Sequence, residues 1–336
     1  MNELTKNTDY QQLINRIGTV YQSAKNKIIS AVNTEMLHAY WQIGKDIIEF
    51  EQGGKLKAEY GTQLLLILAK DLTNKHGRGF SRSNLQYMRL LYQYYPICQT
   101  LSGKLTWSHY VELLTIDDDL AREFYEKQSI AEGWTIRELQ RHKRTGLFHR
   151  LAIGKAKDKV LELAKKGQIV NSEDDFIKNP HVFEFMNFPE NYEYSETDIE
   201  KGIINNLQKF LLELGKGFAF VDRQQRLTLN NRHYFVDLVF YHIKLKCYVL
   251  IDIKIGKVEY EHIGQMKLYL GYYTKEVNEK NDNEPIGLIL SEGKDDVMVE
   301  YAMLNDKSKL VVSKYQVYLP DIEQLKEKVK EIIEKE

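Results

Sequence analysis

Disulfide chemistry has little to work with in this sequence: 336 residues hold two cysteines, Cys98 and Cys247, the second inside an apolar strand-like run. A disulfide scaffold is excluded, and the opening MNELTKNTDY has no hydrophobic signal region, so a reduced, cytoplasmic protein is expected. Long apolar runs are missing too. The longest are short stretches such as Leu64 to Ala69, far below the roughly 20 residues that span a bilayer, so no membrane role is expected. No charge sign dominates either: 47 Lys and Arg against 48 Asp and Glu leave a formal net charge of -1. Nucleic-acid binding must therefore come from local patches rather than from a basic overall field. Acidic residues gather at Asp117 to Asp119, at Glu173 to Asp175 and in the C-terminal helix, which leaves basic surfaces elsewhere. Glycines are sparse beside basic residues, so there is no P-loop. The nine histidines are scattered and neither cysteine has a ligand partner at useful spacing, so no zinc site is expected.

The length suggests two domains. The first 150 residues show helix-period apolar spacing. Phe80-Ser81-Arg82-Ser83-Asn84-Leu85 reads as a helix start, with Ser81 capping and Phe80 stapled to Leu85, after a stop at His76 to Gly79. A second start is Trp134-Thr135-Ile136-Arg137-Glu138-Leu139, where Thr135 and Glu138 form a capping box. One further amphipathic helix is expected from Arg150 to about Lys166, then an acidic connector from Asn171 to Glu193 that holds two of the five prolines. The expected division is thus 1–150 helical, 151–195 connecting helix and linker, and 196–336 mixed. In the last part the pattern gives a helix from Glu196 to about Leu214, strands, a helix from about Glu259 to Thr274 and a strand at Ile286 to Leu290. A closing helix carries Ile322, Leu325, Val329 and Ile332 on one face. The fold class is α+β overall, with an α/β C-terminal domain around a central mixed sheet.

Two strands are legible, Tyr234 to Tyr241 and Cys247 to Lys254, separated by the polar His242 to Lys246. A turn centred between Lys244 and Leu245 puts Asp237 opposite Asp252. Side chains so placed have Cβ atoms about 4.5 to 5.5 Å apart, and Lys254 shares that face through the two-residue period. Two like charges there need compensation. Magnesium suits the pair, since it takes hard oxygens and commonly one or two protein carboxylates. With Lys254 to orient or deprotonate the attacking water, the chemistry implied is phosphodiester hydrolysis.

These residues resemble the PD-(D/E)XK nuclease superfamily, whose signature is an acid on one strand and acid-x-lysine on the next, here Asp252-Ile253-Lys254. Val236 stands where the pattern has proline, and Asp252 where close relatives often have glutamate. Glu200 on the preceding helix and Gln265-Met266-Lys267-Leu268-Tyr269 on the following one look similar to the RecB-like and Holliday-junction-resolvase-like branches. Over most of the chain the sequence resembles the YhcG family of bacterial nucleases. The resemblance rests on Gly79-Phe80-Ser81, Trp107-Ser108-His109-Tyr110, Phe124-Tyr125, Trp134 to Leu139, Phe210 to Phe218, Arg223-Gln224, the hairpin acids and Val299-Glu300-Tyr301-Ala302. It implies a helical, winged-helix-like DNA-binding region joined to a nuclease that uses Mg2+, with Mn2+ as a substitute. Double-stranded or branched DNA would be its substrate, other defence or recombination proteins or a second copy its partners, and DNA processing, recombination or mobile-element defence its task.

The expected site is therefore Asp237, Asp252, Lys254, Glu200 and Gln265, with Asp237, Asp252 and Glu200 as metal ligands. Each has a plainer reading. Lys254 pairs equally well with the acids as a structural ion pair, and Gln265 serves as a solvated helix residue. Thr197-Asp198-Ile199-Glu200 reads as a capping box, whereas a start at Ser195 frees Glu200. For DNA contact the stripes are Arg82, Gln86, Arg89 and Gln93 in one helix, and Arg137, Arg141 and Arg144 in another; a solvated face has the same pattern. His109 reads as a packing histidine. The rival function is a non-catalytic DNA- or protein-binding subunit that keeps the nuclease fold.

Overall fold

The computed structural model describes residues 8–52, 63–168, 180–189, 193–215, 217–293, 295–302 and 309–334. The chain divides into two compact units, Met1–Gln140 and Arg141–Glu336.

The N-terminal unit contains α1 (Thr8–Gln52), α2 (Leu64–His76), α3 (Arg82–Tyr94), α4 (Trp107–Leu113), α5 (Asp119–Glu132) and the first turns of α6 (Ile136–Arg144). No strand occurs among its described residues, so the wing of a winged helix has no counterpart there. Both expected helix starts form. Ser81 Oγ accepts the Asn84 amide at 3.2 Å, and Thr135 and Glu138 bond each other's amides at 2.6 and 3.4 Å. Gly44 lets α1 lie against α3, because a Cβ there would stand 2.0 Å from the Met88 carbonyl oxygen. Around that crossing Ile47, Leu65, Leu85 and Met88 are buried, each side chain contributing about 1.5 to 3 kcal/mol. His109 packs as expected, its ring held between Thr106 and the Trp134 carbonyl, the latter at 2.9 Å.

In the C-terminal unit the helices are α7 (Leu147–Ala152), α8 (Lys157–Lys166), α9 (Glu196–Asn205), α10 (Leu207–Leu214), α11 (Tyr260–Tyr272), α12 (Asp296–Ala302) and α13 (Ile322–Glu334). The strands are β1 (His181–Val182), β2 (Phe218–Leu229), β3 (Arg232–His242), β4 (Cys247–Lys257), β5 (Ile286–Gly293) and β6 (Lys309–Gln316). They form one mixed sheet in the order β1-β6-β5-β4-β3-β2. β2, β3 and β4 pair antiparallel, while the β4/β5, β5/β6 and β6/β1 pairs are parallel. β4 is covered on both faces, as its nearly unbroken apolar run requires. Val249, Ile251 and Ile253 meet Ile199, Ile203, Phe210 and Leu214 of α9 and α10, and Leu250 meets Ile263, Met266 and Tyr269 of α11.

Two expected helices differ here. The single helix expected over 150–166 is two, separated by Gly154 at φ 81°, and the one expected over 196–214 breaks at Asn206. Within the stretch expected to be a connector, His181–Val182 form β1, which pairs with β6. The physical cause is Glu213 of α10, which is fully buried. It accepts from the Val182 amide at 3.0 Å, from Arg150, which is equally buried, and from Arg141 at 3.3 Å. Arg150 also donates to the Pro180 carbonyl at 2.7 Å. One carboxylate thus ties α6, α7 and β1 to α10.

Candidate active site

The β3/β4 hairpin has the register expected from its turn, running from His242 opposite Cys247 to Leu238 opposite Ile251. Asp237 and Asp252 are the next residues, and at that point the backbone ladder stops. The Ile253 amide donates instead to Asp237 Oδ2 at 2.7 Å, so a carboxylate takes the place of a strand carbonyl where β3 and β4 part. Asp252 is only 1% exposed, and its Oδ2 lies 3.0 Å from Lys254 Nζ without a well-directed hydrogen bond. Lys254 also stands 3.7 Å from Glu196 Oε2, and Glu196 accepts the Ile255 amide at 3.2 Å.

α9 begins at Ser195, whose hydroxyl accepts the Asp198 amide while Asp198 accepts the Ser195 amide at 2.9 Å. The capping alternative at Thr197 is thereby resolved, and Glu200 is free for the site. Gln224 of β2 joins it to the hairpin: its Nε2 donates to Glu200 Oε2 at 2.8 Å and to Asp237 Oδ1 at 2.9 Å. Gln224 has φ 48°, a left-handed conformation costly for a non-glycine residue inside a strand, next to the irregularity between Phe220 and Asp222. Sequence reasoning missed the roles of both Gln224 and Glu196. An acid after a capping serine reads as an ordinary first-turn acid, and the only sign of Gln224 was its place in the family-like Arg223-Gln224 pair.

Burial, with the Asp237 charge adding to it, raises the Asp252 carboxyl to about 7 despite Lys254. Glu200 is also raised, by burial first and then by Asp237, against the hydrogen bond from Gln224. Burial alone would lower Lys254, yet Asp252, Glu196 and Asp237 hold it above the ordinary lysine value. The site is thus a set of acids with more negative charge than one ammonium offsets.

Gln265 and Tyr269 share a face of α11 and bond each other, and Tyr269 OH donates to the Phe235 carbonyl at 2.8 Å. Gln265 is therefore one residue removed from the acids and supports the β3 backbone through Tyr269. Burial first, then Asp252, raises the Tyr269 hydroxyl to about 12, so it stays a donor. Of the arginine stripes, Arg82 and Arg137 are exposed. Arg89 bonds Gln86 at 2.9 Å and pairs with Glu51 at 2.7 Å, so its charge is offset. Arg144 is 61% exposed, 3.7 Å from Glu184. Arg141 differs from the others: its side chain is 10% exposed and its guanidinium pairs with Glu184 and Glu213.

The donor set fits a hard divalent cation in chemistry, because Asp237 and Asp252 supply carboxylate oxygens and one buried oxygen of Asp252 lacks a well-directed hydrogen bond. The expected third ligand is not drawn in. Among the described residues no group of three or more His, Cys, Asp or Glu is close enough to hold a metal, and Glu200 is linked to Asp237 through Gln224. No described helix is long and apolar enough to cross a membrane.

Residues 174–330 match the YhcG PDDEXK nuclease domain, and residues 16–150 match the DUF1016 N-terminal domain. The chain is 36% identical over 348 aligned positions to the protein named "Putative nuclease YhcG" of Escherichia coli (strain K12), covering 94% of this chain and 92% of that one. A solved repair endonuclease from Pyrococcus abyssi overlaps loosely, with a TM-score of 0.28 and 19% identity over 39% of this chain and 50% of its own. With acid and acid-x-lysine at the parted end of its central hairpin, and with both domain matches in order along the sequence, the chain belongs to the YhcG family, a DUF1016 N-terminal domain followed by a PD-(D/E)XK nuclease domain.

Proposed function

We propose that the chain is a divalent-cation-dependent DNA endonuclease that hydrolyses phosphodiester bonds at Asp237, Asp252 and Lys254, with Mg2+ as its cation and Mn2+ as an accepted substitute. The observation that carries this reading is the convergence of the two acids and the lysine where β3 and β4 part, with Asp252 buried against Lys254 at 3.0 Å. Asp237 and Asp252 would hold the cation. When bound, it would supply Lewis-acid charge opposite the scissile phosphate and lower the pKa of the attacking water. Glu200 and Gln224 fix the Asp237 carboxylate, and Tyr269 with Gln265 fixes the backbone before it. Lys254, held protonated by its acidic neighbours, donates to the phosphate oxygens and orients the water rather than serving as its base.

Lys254→Ala should lose about 10² to 10³-fold in turnover, the usual effect of removing one such donor, while its Mg2+ affinity stays within a few fold of wild type. Mg2+ titrations followed by thermal shift, run beside cleavage of a labelled duplex, separate the two effects. Loss of cation affinity as deep as that of Asp237→Ala would contradict the assignment.

Supporting DNA contact by the N-terminal unit falls to the exposed Arg82 and Arg137, with Gln86 one turn along from Arg82. Each phosphate contact adds about -0.9 to the slope of log affinity against log salt. The double replacement Arg82→Gln, Arg137→Gln in a cleavage-dead full-length chain should flatten that slope by up to about two units. An unchanged slope across a salt series would show both arginines to be solvated surface.

A further inference from the structure

β2 and β3 stay paired well beyond the point where β3 leaves β4. Their ladder runs on to Leu229 opposite Arg232, whereas the β3/β4 ladder ends at Leu238 opposite Ile251. β2 is the edge of the sheet, so the hairpin beyond the acids is a two-stranded ribbon. It closes at Asn230 and Asn231, with φ 46° and 60°, the pattern of a type I′ turn.

The two faces of this ribbon differ. Leu227 and Val236 are buried with Tyr234 against the α11 core. Strand alternation puts Arg226, Phe235, Thr228 and His233 on the other face. Arg226 stands opposite Phe235, and Thr228 stands opposite His233 and bonds it at 3.0 Å. Asp237 lies two residues further along β3 from Phe235, about 7 Å away. There Gln224 joins Asp237 to Glu200 of α9. Phe235 is 47% exposed, an aromatic ring open to solvent one strand period from a catalytic acid. Its backbone carbonyl accepts from Tyr269 OH at 2.8 Å, which anchors the strand beneath the ring.

An exposed aromatic with an arginine across from it is suited to stacking on a base while the guanidinium takes the neighbouring phosphate. Inside a duplex each base face is already covered by its neighbours, so such a platform favours a nucleotide that is unpaired. We propose that the outer face of the β2–β3 ribbon, with Phe235 as stacking platform and Arg226 as phosphate contact, seats an unpaired DNA strand next to the scissile phosphate, so that the enzyme acts at single-stranded or splayed junctions in DNA. This rests on the nuclease reading above and names its substrate class.

The test uses the full-length chain made cleavage-dead by Asp252→Asn, with fluorescent DNA as a single strand, a blunt duplex and the same duplex with an unpaired tail. The parent should bind the single strand and the tailed duplex more tightly than the blunt duplex. Adding Phe235→Ala should weaken the first two about tenfold and the blunt duplex less than twofold, while Phe235→Trp restores binding. Arg226→Gln should flatten the single-strand salt slope by about 0.7. Equal affinity of the parent for all three DNAs, or a Phe235→Ala loss absent or equal on all three, would overturn the proposal. Binding is read without turnover, so the two readings fail separately. Cleavage with no Phe235 effect ends only the ribbon assignment, and a Phe235 effect in a chain that cleaves nothing ends only the nuclease.

Discussion

Replacing Asp252 with asparagine is expected to abolish DNA cleavage and, in a chelator at pH 8, to make the chain more stable. The activity loss should be on the order of 10³-fold or more, because the change removes a carboxylate that would hold the cation and face Lys254. The stability gain follows from burial. The Asp252 carboxyl is raised from 3.8 to about 7 in the folded chain, so its favourable contribution is full below pH about 4 and is lost as pH rises through about 7. At pH 8 the folded state carries an ionised acid beside Asp237 at 1% exposure, and at 1.36 kcal/mol per pH unit the cost has an upper limit of about 4 kcal/mol. Asparagine removes that cost while keeping the shape. Thermal melts with chelator should show the variant above wild type at pH 8 and level with it near pH 4, and Mg2+ should stabilise wild type alone. A variant less stable than wild type at pH 8 would contradict the buried like-charge account.

Glu213→Ala is expected to destabilise the C-terminal unit by about 3 to 5 kcal/mol, the usual cost of leaving a buried charge without its partner. Arg150 is fully buried and Arg141 is 10% exposed, and the same carboxylate accepts the Val182 amide. Pairing Glu213→Leu with Arg150→Met should recover part of the loss, because two apolar side chains of similar volume leave no orphaned charge. Urea denaturation of the two forms decides it. A loss below about 1 kcal/mol for Glu213→Ala would mean that water reaches this cluster.

The register of the acidic hairpin was legible because a two-residue period and a polar turn determine it locally, and Lys246 at φ 49° completes that turn. The parting of β3 from β4 beyond Leu238 was not legible. It depends on the Asp237 carboxylate accepting the Ile253 amide, a contact between strands that alternation does not encode. Gln224 was hidden for a related reason, since a left-handed glutamine persists only when Glu200 and Asp237 hold its amide in place. Glu200 was ambiguous because two capping starts, at Ser195 and at Thr197, fit the same residues, and only the bond pattern separates them. β1 has two residues and no periodicity to detect. Arg141 looked like part of a solvated basic stripe because its partners Glu184 and Glu213 lie far along the chain, and charge spacing within one helix says nothing of them.

Asp237, Asp252 and Lys254 are proposed to form a cation-dependent centre that cuts DNA. Its most direct test is cleavage of labelled linear, nicked and branched DNA by the purified full-length chain, with Mg2+, Mn2+ or chelator, beside Asp252→Asn prepared in parallel. Products are expected with either cation, none with chelator and none from the variant. Cleavage that survives chelator or is undiminished in Asp252→Asn, or no cleavage of any DNA with either cation, would contradict it.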